Sequence, residues 1–253
     1  NDAFEDMNNV NIISGRSKII VQINNNFSET NGWDISGGLL LNDVYASHNR
    51  YPLLFSRLKG NIFFTKNELE WKGLNGLIGN STFSTNGKML DYASKNPKIA
   101  LKVNGDADPN EIFNILNIRG KENFVLNGTT GIKLNLNGDY NAIITTGELD
   151  LTKSFYQYKK WIKKRINQKN TVSWDGLIEK LNNFYFKKFE ATYEENKIIG
   201  NGTISGSIKP HLNINVNTAD FELADARKLA VFFNNELTSG KLSTSFNVKG
   251  NLK

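Results

Sequence analysis

The chain has 253 residues, 39% hydrophobic and 11% aromatic, with a net charge of +6 and no cysteine. This length and composition suit one large or two ordinary folded domains, and exclude disorder, disulfides, thiolate metal sites and a cysteine nucleophile. No window of about 18 apolar residues occurs, so no transmembrane helix is expected.

The charge is concentrated. Residues 153–188 hold ten Lys/Arg against Asp175 and Glu179, a local +8 that leaves the rest of the chain at −2. An argument about anionic partners therefore belongs to that segment. The chain opens on "NDAF", with no initiator Met and no signal peptide, and is read as an internal piece of a longer protein or a processed form.

Asn, Ser, Thr and Gly cluster between short apolar alternations, which is the punctuation of strands and turns. The abundance of Asn itself is given little functional weight. In chain order, residues 10–103 read as consecutive strands: "SKIIVQI", "GGLLLNDVYA", "LKGNIFF", "NELEWKGL", "STFSTNG" and "PKIALKVNG". Asn67-Glu68 suits a hairpin turn, and the alternation in "PKIALKVNG" puts its apolar residues on one face.

"DADPNEIFNIL" changes the signal. Asp108 suits an N-cap, Pro109 the first helical position and Glu111 a capping box, predicting a short helix from Pro109 to about Asn117. A calcium loop through Asp106, Asp108, Asn110 and Glu111 is set aside, because the Gly and distant bidentate Glu are missing. Strands resume with "GIKLNLNGDY" and "GELDLT". Two basic amphipathic helices are then predicted within 154–186. One is capped by Ser154, with Phe155, Tyr158, Ile162 and Ile166 on one face. The other is capped by Ser173, with Trp174, Leu177, Ile178, Leu181 and Phe184 at helical spacing. Strands return through "FYFKKFEATYE", "KIIGNGTISGSI" and "HLNINVN". A short helix follows near 224–233, and the chain ends on the strand "GKLSTSFNVKG".

Part of the chain repeats. Leu77–Asp108 and Ile198–Phe221 both run from an apolar pair and Gly-Asn, through a Ser/Thr/Gly strand, to a Pro-led alternation. In that alternation Ile99, Leu101 and Val103 match Leu212, Ile214 and Val216. Gly128–Gly138 matches Gly240–Gly250 at a spacing of 112, setting Ile132, Leu134 and Leu136 against Thr244, Phe246 and Val248. The expected organisation is a first β-repeat unit over 1–153, the basic helical pair over 154–186, and a second unit over 187–253 that continues beyond the chain end. The predicted fold class is mainly β: an elongated, twisted antiparallel sheet of two related units with a few short helices.

The alternation in "LTSGKLSTSFNVKGNL", after "ADFELADARKLAVFF", resembles the AsmA-like family of Gram-negative envelope proteins, including its YhdP-like and TamB-like branches. The cadence of Gly37–Gly105 is similar. The likeness covers roughly residues 35–150 and 186–253 and leaves out the basic segment. It implies a curled β-groove in the periplasm, tethered to the inner membrane by a segment outside this chain. The groove's apolar face would carry phospholipid acyl chains toward the outer membrane. The groove candidates are Leu101, Val103, Leu134, Leu136, Ile214, Val216, Phe246 and Val248. The residues themselves satisfy a closed core equally well, so a β-rich scaffold or interaction module without ligand stays open beside the lipid reading.

Lys159, Lys160, Lys163, Lys164 and Arg165 are candidates for headgroup or membrane-surface contact, with Tyr156 and Trp161 at the interface. A solvated helix face is the alternative, and nucleic acid is disfavoured because no interleaved aromatic-basic sheet face is read. His48 and His211 stand in unrelated contexts, so neither a metal cluster nor a His relay is expected. Glu148/Asp150 and Glu194/Glu195 read as solvated positions, and "GNGTISG" lacks the Lys of a phosphate loop. No catalytic constellation, cofactor or metal is expected.

Overall fold

The computed structural model describes residues 10–25, 33–48, 54–115, 121–206, 210–230 and 239–251. The first strands are β1 (Val10–Asn25), β2 (Trp33–His48), β3 (Leu54–Phe64), β4 (Glu68–Ile78), β5 (Ser81–Leu90) and β6 (Lys98–Ala107). Helix α1 (Pro109–Ile115) and a 3-10 turn (Lys121–Asn123) lead to β7 (Phe124–Gly128), β8 (Thr130–Asp139) and β9 (Ala142–Asp150). Next come β10 (Ser154–Tyr158), β11 (Ile162–Lys164), β12 (Asn170–Glu179), β13 (Asn183–Tyr193), β14 (Asn196–Ser205) and β15 (His211–Glu222). Helix α2 (Leu223–Leu229) and β16 (Lys241–Asn251) complete the described elements.

Among the described residues, thirteen strands pair in one antiparallel sheet, ordered β1-β2-β3-β4-β5-β6-β8-β9-β12-β13-β14-β15-β16. A second sheet of three strands is ordered β11-β10-β7. The chain divides into two compact units: Asn1–Gly105 with Asn135–Tyr140, and Asp106–Leu134 with Asn141–Lys253.

The mainly β expectation is met, and the strands expected over 10–103 are present. The Asn67-Glu68 turn closes through Thr65, whose N–H donates to the Glu68 carbonyl at 2.8 Å. Its hydroxyl also accepts from the Glu68 N–H at 3.0 Å. Helix α1 starts where the cap signals put it: Asp108 Oδ1 accepts from the Asn110 N–H at 2.8 Å. Helix α2 begins one residue before its expected start, at Leu223. The far ends of both expected helices, 116–117 and 231–233, lie outside the described residues.

The basic helical pair does not form. Residues 154–186 fold as β10, β11, β12 and the start of β13. The helical spacing of Trp174, Leu177 and Ile178 mixes two sheet faces. Trp174, Gly176 and Ile178 share one face at period two, while Leu177 points to the other. Thr171, Val172 and Trp174 favour a pleated surface and Gly176 disfavours a helix interior, so pairing with β9 and β13 prevails.

In the first unit the register sets apolar residues opposite one another across five strands. Ile19, Leu39, Ile62, Trp71 and Gly87 form one row, and Val21, Gly37, Phe64, Leu69 and Met89 the next. Phe55 and Phe83 meet edge to face, 6.4 Å between centroids. In the second unit the fully buried apolar positions are few. The principal cluster is Tyr193, Phe221 and Ala226, with Ile198 and Leu229 packed against it.

Candidate functional site

The second unit's sheet carries one largely apolar face. Residues directly opposite on paired strands share a face, so the register reads out continuous rows. One row is Gly147–Trp174–Phe189–Gly200–Val216–Phe246, across β9, β12, β13, β14, β15 and β16. The next is Thr145–Gly176–Phe186–Gly202–Ile214–Val248, and a third runs Ile143–Ile178–Phe184–Ile204–Leu212–Gly250. Apart from Thr145 and the glycines, this is an apolar face six strands wide.

A bulge keeps the face continuous. Phe184 and Phe186 alternate normally, but the extra residue between Phe186 and Phe189 shifts parity and returns Phe189 to the same side. The three rings make a run along β13, with centroids 4.3 Å and 5.8 Å apart.

Large rings lie flat over glycines on the neighbouring strand. A Cβ on Gly147 would stand 2.1 Å from the Trp174 ring, and one on Gly200 would stand 2.3 Å from the Phe189 ring. The Trp174 indole N–H donates to Thr145 Oγ1 at 3.2 Å, which satisfies the indole's polar edge within an apolar surface.

The opposite face is mostly polar, apart from the row Ile144–Leu177–Tyr185 and Ile199. Asn201, Asn215 and Asn247 stand opposite one another on β14, β15 and β16. Asn215 Nδ2 donates to Asn201 Oδ1 at 3.1 Å, and Asn247 Nδ2 to Asn215 Oδ1 at 2.9 Å. Glu190 pairs with Lys197 at 2.9 Å and Lys188 at 3.5 Å. The Lys197 hydrogen bond holds the Glu190 carboxyl below its ordinary range. The frequent Asn thus supplies hydrogen-bond ladders on the wet side of the sheet.

One end of the unit is closed by buried polar contacts. Lys164 is fully buried, and its Nζ donates to the carbonyls of Thr152 at 2.8 Å, Ser154 at 2.7 Å and Leu151. Burial pushes its ammonium down to about 8, against the opposing pull of Asp150 and Glu194. Beside it, the buried hydroxyls of Ser154 and Thr130 share a hydrogen bond of 2.8 Å. Asn196 ties α2 to the sheet by donating to Asp225 Oδ2 at 2.7 Å and accepting from the Glu222 N–H at 2.6 Å.

The eight groove candidates divide. Ile214 lies opposite Val248 and Val216 opposite Phe246, so these four form one patch. Leu101 and Val103 lie on β6, and Leu134 and Leu136 on β8, its neighbour in the sheet order. None of the eight is buried: Phe246 is 49% exposed, Val248 is 42% exposed, and the other six are half-buried. Sequence reasoning missed Trp174, Phe186 and Phe189 as neighbours of this patch. The period-two spacing of Phe184 and Phe186 was the available signal, and the bulge hid Phe189.

Of the five basic candidates, Lys159, Lys160, Lys163 and Arg165 are exposed. Lys164 is a correction. It faces inward, opposite Tyr156 in the β10–β11 pair, where its charge is spent on three carbonyls and reaches no surface. Alternation along the strand, hidden by the run of like charges, decides which lysine turns in. Tyr156 is also mostly buried, and its hydroxyl is pushed up to about 12 by that burial.

His211 opens β15 and meets Asn251 Oδ1 at 2.9 Å through Nδ1. Among the described residues, no group of three or more His, Asp or Glu is placed to hold a metal. Among the same residues, no helix is long and apolar enough to cross a membrane. Comparison with protein-family models, curated proteins and solved structures finds no match to this chain.

Proposed function

We propose that this chain is a length of lipid-carrying β-sheet from an AsmA-like envelope protein. In this reading it works in the periplasm of a Gram-negative bacterium, tethered to the inner membrane by a segment outside the chain. Its apolar face shelters phospholipid acyl chains in passage between the two membranes. The observation that carries the reading is the partial exposure of a broad apolar face: Ile214, Val216, Phe246 and Val248 sit together, with Phe246 and Val248 more than 40% exposed.

A closed sandwich core would bury such residues almost completely. Acyl chains laid along the rows would bury them instead, at about 0.8 kcal/mol per methylene. The face offers few polar groups, which suits a ligand held by area and free to slide. One matched pair of glycines, Gly138 and Gly250, adopts similar φ of 151° and 157°, whereas Gly79 turns between β4 and β5 at φ 61° and its match Gly200 lies within β14.

Native mass spectrometry after gentle purification tests the proposal. Retained phospholipid, lost in a Phe246→Asp variant that still melts cooperatively, is the expected result. A parent that never carries lipid, with a variant that unfolds outright, would favour the scaffold with a closed core.

A further inference from the structure

The β10–β11 hairpin has an outer surface that the sheet does not use. From Leu151 to Trp174 the chain contains no acid. The hairpin turns through Lys159, Lys160 and Trp161, with Lys159 at φ 47° and the Trp161 N–H donating to the Tyr158 carbonyl at 3.1 Å. Lys159, Lys160, Lys163 and Arg165 are exposed, and none of them forms an ion pair among the described residues. Two apolar side chains stand out among these cations: Trp161 is 46% exposed and Ile166 is 49% exposed.

The root of the hairpin is fixed. Tyr158 packs on Phe124 at 4.8 Å, and Phe124 on Phe113 at 5.4 Å. The Lys159 N–H donates to the Asn123 carbonyl at 2.9 Å, and Lys164 is locked inside. Lys159 and Lys160 lie over the rings of Tyr158 and Trp161, at 5.6 Å and 5.4 Å from their centroids. The tip therefore reaches a partner with its conformation already set, which lowers the entropy lost on binding.

We infer that this hairpin tip docks on the surface of an anionic phospholipid bilayer. Lys159, Lys160, Lys163 and Arg165 meet the headgroup charge, and Trp161 and Ile166 enter the interface. A cluster of cations without ion pairs attracts an anionic surface, and an indole among them suits the headgroup boundary. A nucleic acid would be met by stacking along a basic sheet face, whereas here the exposed indole is at a hairpin turn. The inference rests on its own observations and stands even if the apolar face of the sheet carries no lipid.

Co-sedimentation tests it, with vesicles of phosphatidylcholine alone and with about one-third phosphatidylglycerol. The parent chain should bind only the anionic vesicles and release them in high salt. Replacing the four cations together (Lys159→Gln, Lys160→Gln, Lys163→Gln, Arg165→Gln) should weaken binding by tenfold or more, and Trp161→Ser should weaken it severalfold. All four cationic side chains are exposed, so melting should stay with the parent. If it does not, the pair Lys160→Gln and Lys163→Gln gives the same comparison at about tenfold. Binding unchanged in these variants overturns the inference. So does binding to a single-stranded oligonucleotide that is tighter than to the anionic vesicles. Phospholipid carried by the purified chain is measured separately, so failure of the docking tip and failure of the lipid-bearing face remain distinguishable.

Discussion

The indole N–H of Trp174 donates to Thr145 Oγ1 at 3.2 Å while its ring covers Gly147, the residue directly opposite. The first unit makes the same arrangement with Trp71, Thr85 and Gly87, again at 3.2 Å. In each case a glycine two residues beyond a threonine leaves room for a ring from the next strand, and the hydroxyl takes the indole proton. Each device ties a ring from one strand to a glycine and a threonine on the next, which stiffens that strand pair.

The device should be measurable. Gly147→Ala places a methyl where the Trp174 ring lies and should cost about 1–3 kcal/mol, and Gly87→Ala at least as much, since its methyl meets both the Trp71 ring and the Ala100 carbonyl oxygen. Thr145→Val leaves the indole N–H without its partner and should cost about 1–3 kcal/mol. Thr85→Val should cost less, since Thr85 is 8% exposed and Thr145 only 1%. Urea unfolding of the four variants gives the order.

Stability should pass through a maximum in the alkaline range. Lys164 titrates near 8 when folded, below its ordinary value near 10.4, so between these limits the unfolded chain holds more protons and stability rises with pH. Tyr156 and Tyr193 act oppositely. Burial pushes both hydroxyls up to about 12, so above about 10 the folded chain holds more protons and stability falls. Melting temperatures from pH 7 to 11 should rise and then drop, and Lys164→Met should flatten the rising limb.

Tyr193 carries a buried hydroxyl with no hydrogen-bond partner among the described residues, inside the cluster with Phe221 and Ala226. Tyr193→Phe should therefore be neutral or stabilising by up to about 1–2 kcal/mol, whereas most substitutions at so buried a site destabilise. A lowered melting temperature would mean that the hydroxyl has a role in the fold.

The β12–β13 hairpin turns through Lys180 and Leu181, both left-handed at φ 50° and 51°. Neither residue suits this conformation, and Leu181 is 60% exposed. Lys180→Asn with Leu181→Gly should raise stability by about 1–2 kcal/mol, read from the thermal midpoint.

The strands of 10–103 were legible because each alternates at period two between glycines and asparagines. The α1 cap was legible because Asp108 and Pro109 occupy positions with a single physical use. Residues 154–186 were not. There the strand signal competes with a lysine run, and two sheet faces superpose into a false helical stripe. The inward turn of Lys164 depends on carbonyls gathered from Leu151, Thr152 and Ser154, which the sequence does not announce. The apolar candidates were recognisable as a class. Their assembly with Trp174 and Phe189 depends on strand order and on a bulge, both set by pairing between distant segments.

The central claim is that lipid lies on one face of the second unit's sheet, and adjacent residues on β16 test it directly. Phe246 belongs to the apolar row and Asn247 to the asparagine ladder, so a photoreactive side chain moves from one face to the other with a single step along the chain. With the group at position 246, ultraviolet irradiation in the cell envelope should yield a phospholipid adduct by mass spectrometry; at 247 it should yield none. Equal labelling at both positions, or no lipid adduct at 246 in a folded chain, would contradict the account.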